Sequence, residues 1–374
     1  MNILLIDHYA GSPELGMEFR PYYMGKEWMK QAHQTVIIGG SFSHLRKRQP
    51  LQTGESVDGI QYYWVKLNSY SGNGIGRILS MFSFVTKLYC NYKSYLRNFK
   101  PDIVIASSTY PLDIYPAYKI AKHYHAKLIY EVHDLWPLSP MELGGYSKNH
   151  PFIRIMQKAE DDCYRYADAV VSMLPKAEEH MREHGLTKGK FHYVPNGIVL
   201  SDWNNPRGIP EGHGLLLSKL QKEGKLIVGF AGAHGIANSL YAVIDAVSSL
   251  TEQNVVLVLV GGGQEKENLI RYTHKKGIAN VYFLPPINKL AIPNLLKEMD
   301  VLYIGLQKQS LFRFGISPNK MFDYMMAAKP IIQAIDAGNN LVREADCGID
   351  VEPDNVGEIS KAILALKKKI RREW

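Results

Sequence analysis

The stretch PNGIVLSDWNNPRGIPEGHG, Pro195–Gly214, decides how the chain folds. Prolines and glycines interrupt it throughout, as they do in a linker. Before it, short apolar runs alternate with helical stretches: NILLID, QTVIIGG, IQYYWVK, DIVIAS, KLIYEV, DAVVSM and KFHYV. After it the pattern restarts with LIVGFAG, VVLVLVGGG, NVYFL, DVLYIGL, PIIQAI and GIDV. Alternating strands and helices predict α/β units whose mainly parallel sheets are covered by helices. Two doubly wound units are therefore expected, over residues 1–205 and 206–374. A ligand would lie between them, beyond the carboxyl ends of both sheets.

A chain of 374 residues exceeds what one hydrophobic core usually supports, which agrees with two domains. Lys and Arg number 44 against 36 acids, a net charge of +8 that favours anionic partners without choosing among nucleotides, nucleic acid and acidic lipid. Cys90, Cys163 and Cys347 are scattered and lack CxxC spacing, so neither a disulfide framework nor a zinc site is expected and a reducing cytoplasm fits. The start MNILLIDHYAG reads as a strand and carries no leader, and no apolar run reaches the length of a membrane span.

Among the loops that follow strands, FGISPNKMFDYMMAAKPII, Phe314–Ile332, carries the strongest chemical signal. Ser317 suits a helix N-cap and Pro318 the first helical position. A capped structural helix explains that much. Lys320 in the first turn is unfavourable beside the positive end of the helix dipole unless an anion binds there. Asp323 follows Lys320 by three residues and Asn319 by four, placing a carboxylate near the same helical face, where it can accept ribose hydroxyls.

EVHDLWP, Glu131–Pro137, places polar groups at a strand end. Either Asp134 caps a turn while Trp136 fills the core, or His133 or Asp134 contacts a reacting sugar or an acceptor hydroxyl. Gly11, Ser12 and Pro13 form the first turn after a strand without GxGxxG spacing, which argues against a nicotinamide site. Gly261, Gly262 and Gly263 serve either close ligand approach or a plain tight turn. In RILSMFSFVTKLYCNYKSYLRNFK, Arg77–Lys100, the residues Ile78, Phe82, Val85, Tyr89, Tyr92 and Leu96 share a helical stripe bordered by Lys93, Arg97 and Lys100. That stripe either seeks an anionic membrane or packs on the sheet. The tail KKKIRREW adds to a basic surface or is a solvated end. No metal site is expected, because His123 with His125, and His180 with His184, lack an accompanying ligand cluster.

Taken together, MNILLIDHY, EVHDLWP, YVPNGI, VGGGQEKENL and SPNKMFDYMMAAKPII make the chain resemble family 4 glycosyltransferases of the GT-B fold. The likeness is to the bacterial branch that transfers N-acetylated amino sugars in surface-polysaccharide assembly. That resemblance implies two Rossmann-like domains facing across a cleft, with a nucleoside diphosphate sugar, UDP-linked, held mainly by the C-terminal one. It implies that Ser317, Asn319 and Lys320 bind the diphosphate, that Asp323 holds the ribose, and that Pro285 and Pro286 frame the base. Gly11, Ser12 and Pro13 would cover the diphosphate, His133 and Asp134 would face the donor sugar and acceptor, and His234 and Asn238 would stand where relatives place a basic phosphate-binding pair.

The same resemblance implies retention of anomeric configuration, with His133, Asp134 and Lys320 as catalytic residues and no metal or separate cofactor. The acceptor would be a lipid-linked saccharide of O-antigen, capsule or exopolysaccharide assembly, met by a cytoplasmic enzyme peripheral to the anionic inner face of the membrane, with no nucleic acid involved. Three departures stand out. Relatives carry two glutamates where this sequence has Gly315 and Asp323, they place an Arg and Lys pair after the strand corresponding to LIVGFAG, and they extend into a terminal helix that crosses back to the first domain. A non-catalytic partner in a polysaccharide complex, or a nucleotide-sugar epimerase, are the alternatives.

Overall fold

Runs such as VVLVLV have no polar face, and they become parallel strands buried on both sides. The computed structural model describes residues 1–16, 18–72 and 74–370. Two compact units emerge, Met1–Pro195 and a second beginning at Asn196. The expected border at residue 205 therefore falls inside the second unit. The physical reason is Trp203, whose indole is buried among Leu217, Leu220 and Ile227 of that unit and ties the linker to it.

The first unit contains β1 Asn2–Ile6, β2 Gln34–Gly40, β3 Gly54–Val57, β4 Ile60–Val65, β5 Ile103–Ala106, β6 Lys127–Val132, β7 Ala169–Ser172 and β8 Phe191–Tyr193. They form one sheet in the order β3-β4-β2-β1-β5-β6-β7-β8. Leu4 in β1 stands beside Val36 of β2 and Val104 of β5, a register that keeps apolar residues on both faces. Only β3 is antiparallel, paired to β4. The sequence reading missed β3, although Asp58-Gly59 between two strands is a hairpin signal and both residues have the positive φ, 49° and 87°, that such a turn needs.

The second unit contains β9 Leu226–Ala231, β10 Val255–Val260, β11 Val281–Leu284, β12 Val301–Gly305, β13 Ile331–Ala334 and β14 Gly348–Val351. Their order is β11-β10-β9-β12-β13-β14, all parallel, the doubly wound arrangement. Strand order reverses at β1/β5 in the first sheet and at β9/β12 in the second, and ligands of such sheets bind beyond the strand ends at those points.

The basic helix Ile75–Tyr95 uses its apolar side mostly for packing. Of the expected stripe, Tyr92 and Leu96 are buried, while Phe82 and Val85 lean on a cluster of Tyr9, Met81, Tyr110 and Met156. Tyr89 is exposed, with Lys119 Nζ 3.8 Å above its ring. Of the two readings of this stripe, internal packing prevails, with loops that follow strands and the helix Pro151–Tyr166 supplying apolar partners. Ile75 and Leu79 remain exposed at the start of the basic helix. In the basic tail, Lys367 is buried and donates to the Gln253 carbonyl, and residues 371–374 lie outside the described residues. No described helix is long and apolar enough to cross a membrane.

Candidate functional site

In the second unit, two glycine-rich loops leave the ends of β9 and β10 and interlock. The His234 N–H donates to the Gly262 carbonyl at 2.8 Å, and the Glu265 N–H to the His234 carbonyl at 3.0 Å. A β-carbon at Gly261 would sit 1.9 Å from the Gly232 carbonyl oxygen, so only glycine allows this approach. Close packing explains Gly261 and Gly263, where a β-carbon at the latter would sit 2.5 Å from the His234 carbonyl oxygen, but not Gly262.

These loops bring His234 and Asn238 to Lys320, which enters from the helix Asn319–Met326. Lys320 Nζ donates to Asn238 Oδ1 at 2.6 Å and lies 4.4 Å from the centre of the Phe230 ring. Burial pulls its pKa down to about 8. No carboxylate pairs with it among the described residues. His234 is fully buried, and neither ring nitrogen has a hydrogen-bond partner. Its burial, together with the charges of Lys266 and Lys320, lowers its pKa to about 4, so it is neutral. An unpartnered buried imidazole is an unmet group that a ligand oxygen or a water would satisfy. Lys266 donates to the Gly261 and Leu284 carbonyls, both at 2.7 Å, and pins the loop ends. The whole arrangement offers one desolvated cation and a helix start, which suits an anion.

Ser317 does not cap the helix. The helix begins at Asn319 with Pro318 in the capping position and no side-chain cap. Ser317 Oγ instead accepts from the Asn196 N–H at 2.8 Å, and Asn196 Nδ2 donates to the Ser317 carbonyl at 2.7 Å. Asn196 was not singled out from sequence, although PNGI was visible as a motif. Asn319 is exposed. Asp323 looks towards other partners than Lys320: burial raises its carboxyl pKa, while Lys289 and a hydrogen bond from Trp203 oppose that rise. Pro286 adjoins Gly262, with 3.9 Å between its Cγ and a β-carbon placed there. The Pro285 carbonyl pairs with His213 Nε2 at 3.0 Å.

In the first unit, His133 joins a buried network at the end of β6. The Ser107 hydroxyl donates to Glu131 Oε2 at 2.6 Å and stands 2.9 Å from His133 Nε2. Arg20 Nε donates to Glu131 Oε1 at 2.8 Å. Burial works against the His133 cation, but Glu131 prevails and raises its pKa to about 9. Burial likewise opposes the Glu131 anion, and His133 and Arg20 overcome it and hold that carboxyl well below its usual range. Nearby, Asp7 and Asp113 are buried, and desolvation raises each to about 7.

Asp134 does not join this network. Its Oδ1 accepts from Ser139 Oγ at 2.6 Å, and Trp136 packs edge-on to Phe152, which is the turn reading of EVHDLWP. Gly11 and Ser12 are also turned inward. Their amides donate to the Glu18 and Gly16 carbonyls at 2.8 and 3.2 Å, and Ser12 Oγ accepts from Leu15. Both are buried, so these groups are not open donors for a diphosphate.

The two Rossmann-like units match the GT-B fold of solved glycosyltransferases. Sucrose-phosphate synthase from Thermosynechococcus elongatus has the same fold, with a TM-score of 0.70 at 14% identity over 98% of this chain and 90% of that one. The family models Glycosyltransferase Family 4 and Glycosyl transferases group 1 match residues 16–202 and 225–369. The chain belongs to glycosyltransferase family 4. Among curated proteins it is similar to the UDP-N-acetylglucosamine--N-acetylmuramyl-(pentapeptide) pyrophosphoryl-undecaprenol N-acetylglucosamine transferase of Bacillus pumilus, 26% identical over 56% of this chain and 49% of that protein. It is also similar to the putative colanic acid biosynthesis glycosyl transferase WcaI of Escherichia coli, 25% identical over 41% of this chain and 39% of that protein. The chain thus spans about half the length, or less, of these curated relatives.

Proposed function

We propose that the chain transfers an N-acetylated amino sugar from a UDP donor to a lipid-linked saccharide during surface-polysaccharide assembly, with retained anomeric configuration. The observation that carries this reading is Lys320: a desolvated cation beside a helix start and the β9/β12 reversal, with an amide and no carboxylate as its neighbour. The donor diphosphate takes the place of the missing anion, and Ser317, Asn319 and Asn238 surround it. Asp323 holds the ribose, and Pro285 and Pro286 border the base.

In transfer, the bond from the anomeric carbon to the diphosphate oxygen breaks, and charge grows on that oxygen. Lys320 and the helix terminus stabilise the departing anion, an electrostatic contribution that needs no metal. A leaving diphosphate oxygen takes the acceptor proton on the same face. His133, held as a cation by Glu131, serves by charge and hydrogen bonding and not as a base. UDP and an undecaprenol-linked acceptor are supported by the similarity to the Bacillus pumilus N-acetylglucosamine transferase, whose name gives both. Access to such an acceptor places the protein on the anionic cytoplasmic membrane surface, which the charge of +8 favours.

The test is thermal stabilisation across a panel of nucleotide sugars, because a ligand that binds only the native state raises the melting temperature. A UDP-sugar is expected to give the largest shift, followed by transfer to a polyprenyl-diphosphate saccharide. No shift with any nucleotide would sink the reading.

A further inference from the structure

We propose a second site, for a divalent transition-metal ion, in the first unit between the helices Pro151–Tyr166 and Glu178–Glu183. The sequence left His180 and His184 without companion ligands, and the fold supplies them. One ligand atom each from Glu160, His180 and His184 lies within 4.8 Å of the others. His180 Nε2 is 3.3 Å from Glu160 Oε1, and His184 Nδ1 is 3.1 Å from Asp161 Oδ1. Tetrahedral zinc with bonds of about 2.0–2.1 Å has ligand-to-ligand edges of roughly 3.3 Å, so both pairs already match that spacing. Glu160 is 1% exposed, too buried for a merely solvated acid.

In the ligand-free protein hydrogen bonds hold this cluster together. Gln157 Nε2 approaches Glu160 Oε2 at 2.8 Å, Asp161 Oδ1 at 2.9 Å and His184 Nδ1 at 2.8 Å. Two amide hydrogens and one N–H on each imidazole can satisfy these contacts, so an ion would replace imidazole protons and the Gln157 contacts. Tyr164 supplies one more hydrogen, to Glu160 Oε1, at 2.9 Å. A cation takes the lone pairs of Glu160, His180 and His184 in place of protons on the facing imidazole nitrogens, once the Gln157 amide turns aside. An open cavity of about 570 Å³, lined by Asp161, His180 and His184 but also by Lys148, Arg154 and Arg165, gives the ion a way in past basic side chains. Of the cations around the cavity, Lys158 and Arg165 lean on Asp162, at 2.9 and 3.9 Å, whereas Lys148 and Arg154 remain a charge the ion must bind against.

Two imidazoles and the Glu160 carboxylate, with Asp161 beside His184, suit Zn²⁺ or a neighbouring first-row ion and not Mg²⁺, which prefers oxygen alone. The ion clips one helix to the other. It is separate from the donor site proposed above, which lies in the other unit.

The experiment is titration of chelator-treated protein with Zn²⁺ by calorimetry, with melting temperature followed in parallel. One ion per chain and a raised melting temperature are expected with Zn²⁺, and no effect with Mg²⁺. His184→Ala, at a part-exposed position, should weaken Zn²⁺ binding tenfold or more while melting as cooperatively as the metal-free parent. His180→Ala combined with His184→Ala should abolish binding, and UDP stabilisation should persist in every variant. Absence of binding to the parent, or equal Zn²⁺ affinity in the double variant, overturns the proposal.

Discussion

Lys320 Nζ stands 2.6 Å from Asn238 Oδ1, and Asn238 is itself fixed by donating its Nδ2 to the Ala233 carbonyl at 3.0 Å. The amide is thereby turned so that its oxygen, not its nitrogen, meets the cation. A neutral oxygen compensates a buried cation only in part, and burial lowers the lysine pKa to about 8. A diphosphate would complete the neutralisation. Lys320→Ala should therefore keep a cooperative fold and lower transfer by about a hundredfold or more, the loss seen when one charge-stabilising donor is removed. Steady-state kinetics at saturating donor measure it.

The same lysine gives the site a pH dependence. In the ligand-free protein its folded value, about 8, lies below the 10.5 of an exposed lysine. Burial of the cation thus opposes folding most below about pH 8, and that penalty fades as pH rises from 8 to 10.5. Anion binding runs the other way, because it needs the charged form. UDP affinity should fall as pH rises through about 8, whereas an ordinary lysine would hold it to above 10. Calorimetry between pH 6.5 and 9.5 reads this slope, and Lys320→Ala should flatten it.

Asp323 connects the proposed donor site to the linker through the hydrogen bond from Trp203. Asp323→Ala should weaken UDP binding by roughly ten- to hundredfold, the worth of hydrogen bonds to a charged group, about 1.5–3 kcal/mol. Trp203→Phe keeps a ring in the core but removes the N–H. It should raise the Asp323 pKa further and weaken UDP binding less than loss of the carboxylate does. Equal effects would show that Asp323 acts through packing alone.

In the first unit, Glu131 bonds to Arg20 and pairs with His133. The folded value of His133, about 9, lies above the ordinary 6.5, so its stabilisation is complete below pH 6.5 and disappears as pH rises through 9. Glu131 is shifted downward, so its share is complete above 4.5 and is lost as pH falls below that. Glu131→Gln leaves two buried cations without their anion and should cost about 3–5 kcal/mol near pH 6. Urea unfolding at pH 6 and pH 9.5 should show the difference between parent and variant shrinking at the higher pH.

The division into two doubly wound units was legible because fully buried parallel strands need unbroken apolar runs, and β1, β9 and β10 have them. The strand β3 was not, since GESV is polar on an edge and only its Asp58-Gly59 turn announces it. Lys320 was legible from charge placed against the helix dipole. The partners of Ser317 and Asp134 were not, because Asn196 lies far away in sequence and Ser139 offered no contrast with an ordinary cap. Spacing alone likewise set His180 beside His184 but said nothing of Glu160, which a separate helix delivers.

The backbone at Gly315 explains why the loop before the Lys320 helix carries no acid at that position. Its φ is +97°, in the region that residues with a β-carbon avoid, and it is buried. The chain turns there tightly: the Gly315 N–H and the Gly338 N–H both donate to the Phe312 carbonyl, at 2.9 and 2.7 Å. Two residues on, the turn delivers Ser317 to Asn196 and starts the helix that carries Lys320. Gly315→Ala should cost about 1–3 kcal/mol, the usual strain of such a backbone. Gly315→Glu should destabilise at least as much and lower UDP affinity, because the distorted turn moves Ser317 and Lys320 together. If Gly315→Glu instead raised transfer at unchanged stability, the loop would be one that has lost an acid, not one built around a glycine. Chemical denaturation and donor kinetics on the same two variants separate these outcomes.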